Sequence, residues 1–217
     1  MRHLIIYAHY NENSLNHNLL QTVVESLTSQ NHEVVIRDLY AINFDPVSSL
    51  KDIQEQRKGI LADDIKHEQE FISWAEHVTF IYPIWWTGMP AIMKGYIDRV
   101  FSYGYAYRYD QGVQKGLLTG KQTVIINTHG KSHEEYERIG MDKALSLTSD
   151  KGIFTYCGFE INQHFFFDKA DRVTPEELEI WKEQIINTYM EISVRFENFA
   201  QNEVEKVNGE LGSIHLS

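Results

Sequence analysis

The stretch VTFIYPIWWTGMPAIMKGYIDRVFS, residues 78–102, carries the pattern that decides the fold. It opens on an unbroken apolar run, VTFIYP (78–83), that stops at Pro83. From Pro90 the apolar residues return at helical spacing. A short continuous apolar run fits a strand buried on both faces, which is the habit of parallel sheets. Pro90 suits the first turn of a helix, where a missing N–H costs little. Trp85 and Trp86, two of the chain's four tryptophans, lie in the loop between.

The same strand–loop–helix unit recurs along the chain. LIIYA (4–8) reads as a buried strand, HYNENS as a polar loop, and Ser14 as the cap of a helix carrying Leu15, Leu19, Val23, Val24 and Leu27. HEVVIRDL (32–39) is a second strand, followed by a loop with Phe44 and Pro46. DDIKHEQEFISWAEH (63–77) reads as a helix ahead of the third strand. KQTVIINTHG (121–130) gives a fourth strand and its polar exit, residues 134–150 a helix, and CGFEINQHFFF (157–167) a fifth strand. A long helix over 174–199 opens with Thr174 as cap and Pro175 in the first turn. YGYAYRYDQGVQKG (103–116) is a Tyr/Gly-rich loop in which Tyr103, Tyr105, Tyr107 and Tyr109 alternate in the manner of a half-exposed strand or a loop.

Five strands alternating with about five helices predict an α/β fold: a doubly wound five-stranded parallel sheet with helices on both faces. Right-handed crossovers and a count of five favour the strand order 2-1-3-4-5. Residues 1–199 are expected to form one domain and 200–217 a polar C-terminal tail.

The formal net charge of −11, from 20 Lys and Arg against 31 Asp and Glu, argues against a nucleic-acid partner. One cysteine, Cys157, precludes an intrachain disulfide and sits where a packed core thiol is expected. The apolar run at the N-terminus is too short for a signal peptide or a membrane span. A cytoplasmic location is expected.

In a sheet of this order, ligands bind beyond the carboxyl ends of the strands, where the order reverses between the first and third. The loops there are HYNENSLN (9–16), PIWWTGMP (83–90) and, next to them, NTHG (127–130). The first precedes a helix N-terminus and so suits a phosphate, with Ser14 and Asn16 as further donors. No GxGxxG follows the first strand, which disfavours a Rossmann-type dinucleotide site. The second offers flat apolar surface beside backbone N–H groups, a match for a planar heteroaromatic ring such as a flavin. At this level the tryptophans serve equally well as a ligand wall or as core or dimer-interface packing. His129, His133, Glu134 and Glu135 lack the spacing of a metal site, and none is expected.

The chain resembles the NAD(P)H:quinone oxidoreductases of the flavodoxin-like fold, the family that includes animal DT-diaphorase and bacterial modulator of drug activity B. AHYNENSLN (8–16) is similar to the family's A-H-x-x-x-x-S-x-N phosphate loop. YPIWWTGMPAIMKGYIDRVF (82–101) resembles its P-L-x-W-x-x-x-P-A-x-x-K-G-W-x-x-R-V-F block. DLYAINFDP (38–46), YAYRYDQG (105–112), NTHG (127–130) and CGFE (157–160) follow in family order. The resemblance implies FAD, or FMN in its place, and NADPH or NADH as hydride donor. His9, Ser14, Leu15 and Asn16 would hold the flavin phosphate and ribityl region. Pro83, Ile84, Trp85, Trp86 and Thr87 would line the isoalloxazine. Asn127, Thr128, His129, Gly130 and Tyr136 would contact its other edge. Tyr107 and Tyr109 would reach the quinone or nicotinamide pocket, which the family builds at a homodimer interface.

Three departures qualify the match. The family's T-T-G-G is NTHG here. A histidine that the animal enzymes carry after this loop is replaced by Ile139, which leaves Tyr136 or water to relay a proton. An arginine near the adenine side of FAD becomes Glu179. The implied activity is a two-electron, ping-pong reduction of a quinone by NAD(P)H. The alternatives are an ancillary redox-regulatory subunit of a potassium-efflux system, an azo- or nitro-compound reductase, and a one-electron carrier.

Overall fold

A computed structural model describes residues 1–214, with side chains through Asn198. The elements run β1 (Arg2–Tyr7), α1 (Leu15–Ser29), β2 (Glu33–Asp38), α2 (Leu50–Gln56), α3 (Asp63–Trp74), β3 (His77–Pro83), α4 (Ala91–Val100), β4 (Tyr107–Asp110), β5 (Val113–Gly116), β6 (Gln122–Thr128), α5 (His133–Ile139), α6 (Met141–Ser146), a π-helical stretch (Leu147–Thr155), β7 (Glu160–Phe167) and α7 (Pro175–Ile214). The main sheet has the order β2-β1-β3-β6-β7, every pair parallel. Counted along that sheet alone, this is 2-1-3-4-5. The tail expected over 200–217 lies outside the residues whose side chains are described.

Alternation along the strands sorts the core into two layers. Leu4, Ile6, Phe80 and Ile125 face one way, onto Ile65 and Ile72 of α3 and Met93 and Tyr96 of α4. Ile5, Tyr7, Ile81, Val124 and Ile126 face the other, onto Leu19, Val23 and Leu27 of α1 and Ile185 and Tyr189 of α7. β3 is buried along its whole length, as its unbroken apolar run requires.

Four local readings change. The Tyr/Gly-rich loop is a hairpin, β4 paired antiparallel to β5. It is anchored where Gly116 meets the Cys157–Gly158 backbone so closely that no Cβ could be accommodated. The helix expected over 134–150 breaks at Gly140, which takes a left-handed φ of 73°, and continues through α6 into the π-helical stretch. β7 starts at Glu160, three residues later than expected, because Cys157 still belongs to the preceding helical segment. The short helix α2 forms on a Ser49–Asp52 capping box, with no apolar period to announce it and no buried residue. Cys157 is a core thiol, and burial pushes it up to about 12.

Part of the 82–101 block is architectural. Gly95 and Arg99, four residues apart on α4, both meet the loop after β2. A Cβ on Gly95 would overlap Pro46 backbone. Arg99 Nη1 donates to the Asp45 carbonyl oxygen at 2.8 Å and to Asp64 Oδ2 at 2.7 Å. Gly95→Ala should therefore destabilise the protein by about 1–3 kcal/mol through overpacking, against a helix-propensity gain of about 1 kcal/mol. Urea unfolding checks this, and an unchanged or raised midpoint would refute the close approach.

At the opposite edge of the sheet, His3 and His77 pair in register on β1 and β3, both buried, their rings 5.0 Å apart. Burial lowers His3 from 6.5 to about 2, helped by His77, His32 and the N-terminus. It lowers His77 from 6.5 to about 4, against a weaker upward pull from Asn162. Both folded values lie below the unfolded one, so the unfolded chain binds more protons in acid. Stability should fall as pH drops below 6.5 and keep falling towards the folded values. By about pH 5 the loss is about 2 kcal/mol for each histidine. Denaturation across that range checks the slope. A His3→Phe/His77→Phe variant that unfolds with the same slope would place the cause elsewhere.

Candidate active site

The loops after β1, β3 and β6 come together at the carboxyl edge of the sheet. Ser14 caps α1, its Oγ accepting the His17 N–H at 3.1 Å. The Tyr7 hydroxyl stands 3.4 Å from the same Oγ. No acidic residue occupies the first turn of α1, so the positive end of the helix is not neutralised by its own side chains. Asn16 is buried there and donates from Nδ2 to Thr128 Oγ1 at 2.9 Å, tying the first loop to the third. Its Oδ1 is buried without a partner. His9 is fixed by the Asn11 N–H, which Nδ1 accepts at 3.1 Å, and burial lowers its pKa.

The β3 loop is a two-residue turn. Trp85 N–H donates to the Gly88 carbonyl at 3.0 Å, and Gly88 N–H donates back to Trp85 at 3.1 Å. Trp86 and Thr87 between them have φ of 51° and 58°. Two successive side-chain-bearing residues at positive φ make a type I′ turn without glycine at either central position, a costly conformation for a β-branched residue. Gly88 closes the turn, and the bend itself falls on Trp86 and Thr87. The turn's own bonds leave the N–H groups of Trp86 and Thr87 unused. The loop is tethered through Ile84 N–H to the Thr128 carbonyl at 2.8 Å.

The two tryptophans part company. Trp85 packs edge-on to His9 at 5.9 Å and tilted to Tyr10 at 5.8 Å. Trp86 is fully exposed. Neither belongs to the core, so core packing no longer accounts for the pair.

The β6 loop continues from buried Asn127, Thr128 and His129. His129 N–H donates to the Phe167 carbonyl at 2.9 Å, and its ring stacks on Tyr136 at 4.7 Å and 13°. Its Nδ1 is buried and unpartnered. Burial holds its pKa below the ordinary histidine value, although Asp168 pulls upward.

Beside these loops opens a cleft of about 330 Å³, with Ile84, Thr87 and Gly88 on one side and Asn127, Ser149 and Phe166 on the other. Lys94, Met89 and Ile153 are among the other residues that line it. Ile84, Thr87 and Asn127 are thus brought together as expected. His9, Ser14, Leu15 and Asn16 sit at the neighbouring helix end. Tyr107 and Tyr109 do not enter this cleft. They pack on Tyr156, the Tyr109 and Tyr156 hydroxyls 3.0 Å apart. Tyr107 lines an adjoining depression that shares Lys94 and Ile153 with the cleft. Glu179 lies in the groove between α1 and α7, 2.8 Å from Lys182.

Sequence reasoning missed Ser149 and Phe166, because they arrive from the π-helical stretch and β7. Lys94 was not singled out either, although the P-A-x-x-K-G block that contains it was the available signal.

Among known proteins, the family model of the flavodoxin-like fold matches residues 1–188. An uncharacterized NAD(P)H oxidoreductase of Haemophilus influenzae is 41% identical over 161 residues, 74% of this chain and 80% of that protein. The rat NAD(P)H dehydrogenase [quinone] 1 is 31% identical over 219 aligned positions, covering 90% and 80%. A crystal structure of a quinone reductase from Klebsiella pneumoniae superimposes with a TM-score of 0.81 at 29% identity, over 88% of this chain and 85% of that one. Sheet order, loop placement and these matches converge on one assignment: the chain belongs to the NAD(P)H dehydrogenase (quinone) family of the flavodoxin-like fold.

Proposed function

We propose that the protein is a flavin-dependent NAD(P)H:quinone oxidoreductase that works in two half-reactions, with the flavin held at the carboxyl edge of the sheet. The observation that carries this reading is the Trp85–Gly88 turn. Backbone strain of this kind persists only where the surroundings impose it, and it clusters at functional sites. Here it leaves two N–H groups free beside a cleft. The residues fit a flavin in two further respects. The start of α1 is an un-neutralised helix N-terminus flanked by Ser14 and Asn16, suited to a phosphate. Asn16 Oδ1 and His129 Nδ1 are buried polar atoms without a protein partner.

The bound flavin would supply the redox chemistry, accepting a hydride from NADH or NADPH and passing two electrons to a quinone. The chain's own part is to bind, orient and exclude water. Trp86 would offer its indole as a stacking face, while the N–H groups of Trp86 and Thr87 would favour negative charge at the ring edge. Thr128 and Gly130 would border the other edge with Asn127 and His129. Tyr136, held parallel to His129, would place a phenolic proton near the acceptor.

FAD is the cofactor that the resemblance favours; FMN is the alternative, because the acidic side chain of Glu179 replaces the arginine expected near an adenine. A homodimer is part of the proposal: Tyr107 and Tyr109 face Tyr156 in their own chain, and a second copy would bring a hairpin over the cleft. So is a cytoplasmic location. No helix among the described residues is long and apolar enough to cross a membrane.

The purified protein should be yellow, release one flavin per chain on denaturation, bleach anaerobically with NADH or NADPH, and recover its colour with an equivalent of quinone. A protein that is colourless and takes up neither FAD nor FMN would end the proposal. Trp86→Ala separates ligand contact from packing. Because the side chain is fully exposed, stability should change by no more than about 0.5 kcal/mol. Flavin affinity should fall about tenfold, the worth of one aromatic stack. Unchanged affinity by fluorescence titration would remove Trp86 from the site.

A further inference from the structure

One side chain behind the cleft wall faces an oxygen at each of its ring nitrogens. His164, on β7, is only 6% exposed and lies behind Asn127 and Phe166, both of which line the cleft. Its ring stacks on Phe166 with centroids 3.9 Å apart. Its Nε2 is 2.7 Å from Asn127 Oδ1 and its Nδ1 is 2.7 Å from Asp150 Oδ1.

The other bonds of these partners decide where the protons are. Asn127 Nδ2 donates to the Tyr82 carbonyl oxygen at 3.0 Å. If the amide were turned round, two acceptor oxygens would face each other with no proton between them. Oδ1 therefore faces His164, and an amide oxygen can only accept. Nε2 must then carry a proton. A carboxylate also only accepts, so Nδ1 must carry one too. The rival arrangement moves a proton from the ring to Asp150, and a carboxylate is ordinarily the weaker base of the two. Ser149 Oγ opposes that move: it lies 2.7 Å from the same Asp150 oxygen and shares its one proton between that oxygen and the Leu145 carbonyl at 2.8 Å.

We propose that His164 is a doubly protonated imidazolium, ion-paired to Asp150, that positions Asn127 in the cleft wall and favours the reduced, more negative state of the bound flavin. This rests on the flavin reading of the cleft. His164 is a positioning residue, since it reaches the cleft through Asn127 and Phe166. Lys94, the cation in the cleft itself, is half exposed, so solvent screens it. His164 is held in a low-dielectric layer, where a fixed charge reaches further. On its outer side Asp150 borders a depression with Asp142, Lys143 and Lys151, so the pair's carboxylate lies towards solvent and its imidazolium towards Asn127.

Two measurements test this. The first is ring-nitrogen NMR of the purified protein. At neutral pH it should show both nitrogens of His164 protonated, with the second proton lost in Asp150→Asn. A neutral His164 in the wild type overturns the proposal. The second is the flavin couple in His164→Gln, which keeps a donor towards Asn127 and removes the charge. It should hold the reduced flavin about tenfold less tightly relative to the oxidised form, a drop of about 30 mV in the two-electron potential. Asp150→Asn, which leaves the ring in place, should shift the potential the same way and serves if His164→Gln does not fold. An unchanged potential in the folded variants overturns the electrostatic role. If the wild type binds no flavin, the flavin reading and this role fall together, while the NMR result still decides the imidazolium.

Discussion

Parallel pairing of β1 with both β2 and β3 is the constraint on which the rest depends. The chain leaves β1 towards one side of the sheet and later returns to the other, so the helices after β1 and β3 depart to opposite faces. Nothing in such a sheet can close the gap between the two departing loops, and a crevice is the result. Here the crevice is stiffened by short bonds that cross it. Asn16 reaches from the first loop to Thr128, and Ile84 ties the second loop to the same residue. Thr128 is thus the common anchor of three loops that are far apart in sequence.

That anchoring makes the strained turn tenable. Trp86 and Thr87 would relax to negative φ if the loop were free. They are held because both ends are pinned, by the β3 ladder and the Ile84–Thr128 bond on one side and by Pro90 entering α4 on the other. The exposed Trp86 indole makes no contact that could compensate the strain within this chain, which is why a ligand or a second copy is the natural recipient of its surface.

How much of this was legible in the sequence follows from the range of the interactions. The five strands of the main sheet, their order and the two-sided core were readable from apolar runs, because burial on both faces acts on every residue of a strand. The caps at Ser14 and Thr174 were readable because capping is local. The hairpin at 107–116 was not, since its alternating tyrosines suit a half-exposed strand and a loop equally. The break at Gly140 escaped because a glycine within a helical period is tolerated as often as it terminates one. Of the candidate site, the loop residues were legible from strand ends and from the resemblance. Asp150 and His164 were not, being 14 residues apart in the chain and joined only by the packing of the π-helical stretch against β7.

The buried histidines make the same point about chemistry. His3 and His77 sit at the amino end of the sheet among apolar side chains and one another, and neither finds an acceptor for its ring nitrogens. Burial then dominates, and both are neutral. His164, its side chain 6% exposed, lies midway along β7, and each ring nitrogen faces an oxygen that cannot donate. One residue type therefore takes opposite charge states within one sheet, according to the hydrogen-bond partners it meets. The neutral pair costs stability in acid and offers nothing to a ligand. The paired imidazolium keeps its charge because Asp150 compensates it, and the sheet sets that charge directly behind the wall where a redox cofactor would change its own.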